Sequence, residues 1–345
     1  MFTLMKSSII LTLVCCLLAL TSSARKYKES YPEIQPKVDL RPDKTILLYP
    51  KGQNAKSFVK EGGKAITCPP REDNGLRGEE KCNAAGNRSN VGDDARMDFY
   101  LPKNGNGQMV VIFPGGGYHF LSTFNEGVYI AKFLLERGIA ACVVKYRMPN
   151  LHQTVTLDDA LNAMRYCRWY GNQLGIKQIG VMGGSAGGHV STLISVHYTD
   201  SITRPDFAVL LYPRITLRRG ERCGCTDYLI GTDDMWTDKL AEQQKALTLY
   251  SPDNFVNDQT PPTFMVLSAD DKTVLATNML PYYTKLIENK VPTELHVFPT
   301  GGHGWGFSKA EYKGPKGEDK FAHYRAEFEQ SLTRWLEDQR QTYTK

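Results

Sequence analysis

The chain has 345 residues, of which 41% are hydrophobic and 23% are charged. This length is sufficient for one large domain or two smaller ones. The formal net charge is +5 and the acidic and basic residues are interspersed, so no basic stripe indicates a nucleic-acid-binding protein.

The N-terminus has the layout of a secretory signal. Lys6 precedes an apolar core at residues 9–20, and small residues follow at positions 22–24. A transmembrane helix needs about 20 apolar residues, so this core is too short to be a membrane anchor. We predict that residues 1–24 form a signal peptide cleaved after Ala24. The mature protein is then expected to be secreted or periplasmic, without a membrane partner.

Residues 25–94 form a predicted N-terminal extension that is polar and rich in turns, with TILLYP as its one strand-like run. In an oxidising compartment, Cys68 and Cys82 are candidates for a disulfide that staples a loop, although sequence does not determine connectivity. Asn87 begins the tripeptide NRS, which accepts a glycan only in a eukaryotic secretory pathway.

Three further cysteines have different predicted roles. Cys142 lies in the apolar run AACVVKY and is predicted to be a small buried core residue. Cys223 and Cys225 lack the additional ligands that a zinc site requires, so they are expected in loop disulfides or as free thiols. No metal or other cofactor is expected.

Short apolar strands alternate with helical patterns from Ala95 onwards. The strand-like runs are MDFYLP, MVVIFP, AACVVKY, QIGVMG, FAVLLYP, TFMVLSA and ELHVFP. Apolar residues recur at helical spacing in residues 125–137, 157–174, 189–198, 277–288 and 320–338. This alternation predicts an α/β fold over residues 95–345, with a mostly parallel sheet of about eight strands and helices on both faces. The segment 218–260 interrupts the alternation and is a candidate cap.

A run of three glycines follows the strand MVVIFP, in the sequence VVIFPGGGYHF. Backbone N–H groups in such a loop are unobstructed by side chains and can bind a developing oxyanion. The loop formed by Gly115, Gly116 and Gly117 is therefore a candidate for part of an oxyanion hole. Tyr118 and His119 come next and are candidates for substrate contact, with ordinary core packing as the alternative.

Five glycines surround one serine in GVMGGSAGGHVS, where residues 183–187 fit the pattern G-x-S-x-G. A sharp turn from strand to helix presents the hydroxyl of Ser185 and requires small neighbours. The helix that follows would present its first N–H groups to the same oxyanion. Glycine-rich turns of this kind also bind phosphate, but neither the P-loop nor the dinucleotide-binding pattern is present.

The partners that a nucleophilic serine needs follow in the order acid, then histidine. Asp270 and Asp271 come directly after the strand TFMVLSA, and His303 lies in GGHGWG after the last strand. We favour Asp271 as the triad acid, although either carboxylate is close enough in sequence. Trp305, two residues beyond the histidine, is a further candidate for substrate contact.

These motifs, together with YRMP, RPDF, LLYP and TPPTFMVLSADDKTV, resemble the secreted α/β-hydrolase esterases of polysaccharide-degrading bacteria. That group includes acetyl-xylan esterase-like and feruloyl-esterase-like members related to the hormone-sensitive-lipase type. The resemblance covers about residues 95–340 and implies a triad of Ser185, Asp271 and His303. It also implies that Gly116, Gly117 and Ala186 form the oxyanion hole. Gly184, before the serine, departs from the bulkier residue that is common in the family, as Leu275 does from a proline.

The resemblance implies a serine esterase that removes acetyl or other small acyl groups from carbohydrate through an acyl-enzyme. An acylated carbohydrate or a small ester is the expected partner. The sequence leaves two alternatives: a serine exopeptidase of the same fold, and a catalytically silent binding protein. It does not determine the acyl group, the polysaccharide or the oligomeric state.

Overall fold

The computed structural model describes residues 40–50, 58–220, 224–307 and 321–344. Its main feature is a sheet of eight strands. In chain order these are β1 (Lys44–Leu47), β2 (Arg96–Tyr100), β3 (Gln108–Phe113), β4 (Ala140–Lys145), β5 (Gln178–Gly184), β6 (Ala208–Leu211), β7 (Thr263–Ser268) and β8 (Thr293–Phe298). Each of these eight strands overlaps one of the predicted runs, so the predicted α/β class and the strand number of the main sheet are confirmed. Two smaller sheets were not predicted, and they contain the short strands Lys60–Glu61, Lys64–Ala65, Lys81–Cys82, Asn87–Ser89 and Leu121–Ser122.

The strands are arranged in the order β1-β2-β4-β3-β5-β6-β7-β8. Strand β2 is antiparallel to β1 and β4, and the pairs from β4–β3 to β7–β8 are parallel. All residues of β2 to β7 are buried, as expected of a sheet that is covered on both faces. The carboxyl ends of the parallel strands share one edge, where ligands bind in open α/β sheets.

Seven α-helices lie in the described residues. They are α1 (Tyr129–Leu135), α2 (Val155–Gln173), α3 (Ser185–His197), α4 (Gly224–Leu229), α5 (Leu240–Leu249), α6 (Leu280–Glu288) and α7 (Ala322–Thr344). A π-helical turn at Phe124–Val128 leads into α1, and short 3-10 turns lie at Asp233–Trp236, Pro252–Asn254 and Ala276–Met279. Within the described residues, no helix is both long and apolar enough to cross a membrane.

The boundary predicted at residue 94 does not separate two structural units. Strand β1 comes from the predicted extension, and it pairs with β2 at the edge of the main sheet. The Tyr49 hydroxyl donates a hydrogen bond to buried Asp159 at 2.6 Å, and Glu80 pairs with buried Arg96 at 2.6 Å. Polar residues of the predicted extension therefore pair with buried charged side chains of the main domain. All described residues fall in one compact unit.

The predicted disulfide between Cys68 and Cys82 is not formed, because Cys68 is exposed and carries a free thiol. Cys142 is buried in β4, as predicted, and its thiol contacts that of Cys167 in α2. Burial raises the pKa of the Cys142 thiol. Cys223 and the predicted signal peptide lie outside the described residues.

Candidate active site

Ser185 lies at the turn between β5 and α3, in a left-handed backbone conformation with φ of +52°. The positions of the surrounding glycines leave no room for a side chain. A Cβ on Gly183 would lie 2.2 Å from the Gly187 carbonyl oxygen, and one on Gly187 would lie 1.8 Å from the Phe113 carbonyl oxygen. Both distances are far below contact, so the crowded glycines allow the strained turn that presents the serine hydroxyl.

The structure brings Ser185, His303 and Asp271 into one hydrogen-bonded chain. The Ser185 Oγ lies 2.8 Å from Nε2 of His303, and the Nδ1 of the same ring lies 2.6 Å from the Asp271 Oδ2. A carboxylate only accepts hydrogen bonds, so Nδ1 carries the proton and Nε2 accepts from the serine hydroxyl. The imidazole is thus oriented to take the serine proton.

The two neighbouring aspartates have separate partners. Asp271 holds the imidazole, while its Oδ1 accepts hydrogen bonds from the amides of Thr273 and Val274 at 2.8 and 3.0 Å. Asp270 instead accepts a hydrogen bond from the Gly302 amide at 2.7 Å, which ties the two loops together. The geometry therefore places Asp271, and not Asp270, in contact with the histidine.

The glycine loop after β3 lies beside the serine. Gly116 and Gly117 have φ values of +130° and +63°, and a Cβ on Gly116 would lie 2.1 Å from the Phe120 carbonyl oxygen. Among the described residues, no acceptor is bonded to the amides of Gly116 or Gly117. Ala186 is buried in the first turn of α3, where amides have no helical acceptor. These three amides are available as hydrogen-bond donors near Ser185.

Glu126 is a buried carboxylate at this site that the sequence did not reveal. Its Oε2 accepts a hydrogen bond from the Gly115 amide at 2.7 Å, and its Oε1 accepts from the Tyr212 hydroxyl at 3.0 Å. A Cβ on Gly184 would lie 2.8 Å from the same Oε2. The missing side chain before the nucleophile therefore leaves space for this carboxylate, and Gly184 was the available sequence signal.

Burial raises the pKa of Glu126, although the nearby His303 and the two hydrogen bonds partly oppose that shift. The Tyr212 hydroxyl also accepts a hydrogen bond from the Gly306 amide at 3.0 Å, and its ring lies edge-on to His303 with centroids 5.0 Å apart. Glu126 and Tyr212 thus connect the glycine loop to the loop that carries the histidine.

A cleft of about 520 Å³ adjoins the serine. Its wall is formed by residues from several loops: Gly116, Gly117, His119, Phe120, Phe124, Tyr129, Ser185, Thr273 and His303. Gly224 and Tyr228 also line it, so part of the predicted cap at 218–260 borders the site. In the described parts of the chain, no cluster of three His, Cys, Asp or Glu side chains is arranged to hold a metal ion.

Of the three residues predicted to contact substrate, only His119 lines this cleft. The Tyr118 ring is buried and its hydroxyl contacts the His189 Nδ1 at 2.7 Å. Trp305 is also buried; it stacks on Phe321 with centroids 3.8 Å apart. Position next to a motif in the sequence did not distinguish aromatic rings that are buried from those that line the cleft. The reason is that the loops PGGGYH and GGHGWG both pass from the cleft into the core.

A serine, an imidazole and a carboxylate in hydrogen-bonded sequence, beside free backbone amides, are the geometry of a serine hydrolase site. Comparison with known proteins agrees with this class. The model of the alpha/beta hydrolase fold family matches residues 110–307, and the chain belongs to that family.

Among curated proteins, the chain is 35% identical over 226 residues to an acetylxylan esterase of Xylanibacter ruminicola, covering 63% of this chain and 45% of the relative. It is 31% identical over 220 residues to endo-1,4-beta-xylanase B of Butyrivibrio fibrisolvens, covering 59% of this chain and 33% of the relative. The chain thus spans less than half the length of these two relatives.

A solved structure of similar fold is the acetyl ester-xyloside bifunctional hydrolase of Caldicellulosiruptor lactoaceticus. The two chains are 30% identical with a TM-score of 0.58, and the match covers 71% of this chain and 88% of the other.

Proposed function

We propose that this protein is a serine esterase that removes acetyl or similarly small acyl groups from carbohydrate. The observation that carries the proposal is the chain of hydrogen bonds from Ser185 through His303 to Asp271, with distances of 2.8 and 2.6 Å. Each of the two relatives and the solved structure is named for hydrolysis of a xylan-type sugar or its acetyl esters, which supports a carbohydrate ester as substrate.

The reaction follows from the positions of these groups. The Ser185 oxygen attacks the ester carbonyl as its proton passes to His303 Nε2, and Asp271 stabilises the resulting imidazolium. The amides of Gly116, Gly117 and Ala186 stabilise the oxyanion of the tetrahedral intermediate. As the tetrahedral intermediate collapses and the ester C–O bond breaks, the imidazolium protonates the departing sugar oxygen, leaving an acyl-enzyme. Water, deprotonated by the same imidazole, releases the carboxylic acid and regenerates the serine.

The place of action forms a separate part of the proposal. The basic residue, apolar core and small residues at positions 1–24 support export of the chain through a secretory pathway. An exported esterase would meet polymeric carbohydrate outside the cytoplasm. Mass spectrometry of the protein recovered from its native host tests this, because export predicts an N-terminus at Arg25.

The esterase proposal is tested by acetate release from acetylated xylan and by hydrolysis of p-nitrophenyl acetate. Ser185→Ala should lower kcat by roughly 10⁶-fold, the loss typical of removing a triad nucleophile. Ser195→Ala is the matched control, because that hydroxyl lies in the same helix and donates to the Ser191 carbonyl at 2.7 Å. Equal rates for the wild type and Ser185→Ala would refute the proposal.

A further inference from the structure

A second cleft, of about 720 Å³, adjoins the one that contains Ser185. Two side chains, His119 and Tyr228, line both clefts and form the partition between them. Neither the triad nor the oxyanion loop glycines line this second cleft, so the proposed chemistry does not account for it.

The partition consists of two stacked aromatic rings, each of which covers one face of the other. The rings of His119 and Tyr228 are stacked, with centroids 5.0 Å apart and an angle of 3° between their planes. Tyr228 is 39% exposed, although the Leu151 amide anchors its backbone by donating to its carbonyl oxygen at 2.9 Å. An exposed ring on an anchored backbone presents an apolar face at low entropic cost, which suits stacking against a sugar ring.

Polar side chains line much of the rest of the second cleft, beside Leu76, Tyr118 and Met148, and its asparagines keep capacity for hydrogen bonds. Asn90 uses its side-chain N–H groups on the carbonyl oxygens of Arg77 and Glu79, both at 3.0 Å, so its Oδ1 remains available. Asn150 donates one N–H to the Asn74 carbonyl at 2.8 Å and retains the other N–H and its Oδ1. Neutral donors and acceptors of this kind match sugar hydroxyls.

The charges in the cleft favour a neutral ligand. Glu80 is committed to buried Arg96 at 2.6 Å, and Arg77 to Asp73 at 2.8 Å. Among the described residues, that leaves the side chains of Lys81 and Glu79 outside ion pairs, one of each sign. The opposite charges of Lys81 and Glu79 would give an acidic sugar no net attraction, whereas the hydroxyl groups of a neutral sugar can hydrogen-bond to both side chains.

We propose that the second cleft binds neutral sugar rings of the oligosaccharide whose acylated residue lies at Ser185, with one ring stacked on Tyr228. This inference rests on the proposed esterase function and extends it from a small ester to a chain of several sugar units. The cleft then contributes to the discrimination of an oligosaccharide from a simple acetyl ester.

The first test compares kcat/KM for acetylated xylopentaose with kcat/KM for p-nitrophenyl acetate, which has no sugar unit to occupy the second cleft. Lys81→Ala and Tyr228→Ala should each lower the ratio of the two values by about tenfold, equivalent to about 1.4 kcal/mol. Tyr228→Phe keeps the ring and should restore most of the ratio. Lys177→Ala, an exposed lysine before β5 at the opposite end of the sheet, is the matched control.

The second test measures binding without catalysis, by calorimetric titration of Ser185→Ala protein with unacetylated xylopentaose. Binding that weakens about tenfold when Lys81→Ala or Tyr228→Ala is added supports the subsite, whether or not the wild type hydrolyses esters. Absence of hydrolysis would refute only the esterase function. Equal xylopentaose binding and equal substrate ratios in all variants would overturn the subsite while leaving the esterase intact.

Discussion

Two histidines, His303 and His189, have both ring nitrogens hydrogen-bonded, yet their partners differ in charge. His303 lies between the Ser185 hydroxyl and the Asp271 carboxylate, at the cleft. His189, four residues after the serine in α3, is fully buried between the Tyr118 hydroxyl and the Tyr250 carbonyl, both at 2.7 Å.

The difference decides what each ring can do. A carbonyl only accepts, so His189 donates from Nε2 and accepts from Tyr118, and neither partner compensates a positive charge. Burial, followed by repulsion from Arg214 and His197, lowers the pKa of His189 to about 4. His303 has an anionic partner that stabilises an imidazolium when the serine proton arrives. The charge of the partner, and not the number of hydrogen bonds, separates a reactive imidazole from a structural one.

Asp271→Asn removes this difference by giving His303 a neutral partner. We expect kcat for p-nitrophenyl acetate to fall about 10⁴-fold, the loss known when a triad acid becomes an amide that favours the wrong tautomer. This corresponds to about 5 kcal/mol of transition-state stabilisation. Initial rates with acetyl ester, together with a melting curve to show that the variant is folded, provide the measurement.

Asp270→Asn is the matched control, because the adjacent side chain contacts the Gly302 amide and not the imidazole. An asparagine oxygen still accepts that hydrogen bond, so kcat should stay within a fewfold of the wild type. A larger loss in Asp270→Asn than in Asp271→Asn would assign the acid role to residue 270.

His189 is expected to make the folded protein sensitive to acid. Its pKa is about 4 in the folded protein and about 6.5 in an unfolded chain, so below pH 6.5 only the unfolded state gains the proton. Above pH 6.5, His189 is neutral in both states and imposes no cost on the folded protein. As the pH falls to 4, the free energy of unfolding decreases by about 3 kcal/mol, because the unfolded state binds the proton more tightly. Urea unfolding of the wild type and His189→Gln across this range measures the difference.

In His189→Gln the amide can contact both Tyr118 and Tyr250 without titrating, so the free energy of unfolding should depend less on pH between 6.5 and 4. His323→Gln is the control, because that histidine is exposed in α7. If the wild type and His189→Gln lose stability in parallel over this range, His189 is protonated in the folded state and the contrast with His303 fails.

The features that could be predicted from the sequence are those that belong to local motifs. The eight strands, the strained serine and its order relative to Asp271 and His303 all follow from local patterns, since short apolar strands and glycine-rich turns are encoded by neighbouring residues. The structure agrees with the predicted proximity of these three side chains. It places Asp271, and not Asp270, in contact with His303, and this difference depends on loop geometry that no local pattern specifies.

Residues whose positions depend on long-range packing were not predictable in this way. Trp305 and Tyr118 flank motifs but turn into the core, and Glu126 enters the site because Gly184, far along the chain, leaves space for it. Tyr49 belongs to the predicted extension, but its hydroxyl bonds to Asp159 in α2. In each case the partner is distant in sequence, so its identity is set by tertiary structure.

Glu126→Gln extends the comparison with His189 to a buried acid, which becomes an anion and not a cation when it ionises. Burial raises the pKa of Glu126 above its ordinary value of 4.5, so above that pH the folded protein holds the proton more tightly than the unfolded chain. The wild type therefore loses stability as the pH rises, the reverse of the dependence expected from His189. A glutamine does not titrate, and this component should disappear.

At pH 4.5, Glu126→Gln should be less stable by about 1 kcal/mol, because the amide nitrogen cannot accept the hydrogen bond of Gly115 or Tyr212, whereas the hydroxyl oxygen of the protonated carboxyl still can. This deficit should shrink as the pH rises to 8, as the wild type alone bears the cost of a buried charge. Urea titrations at both pH values measure it, with exposed Glu136→Gln as the matched control. If the stability deficit of Glu126→Gln instead grows with pH, the hydrogen bonds from Gly115 and Tyr212 outweigh the cost of burial. Glu126 would then be stabilised as an anion, like an acid that is paired with a positive charge.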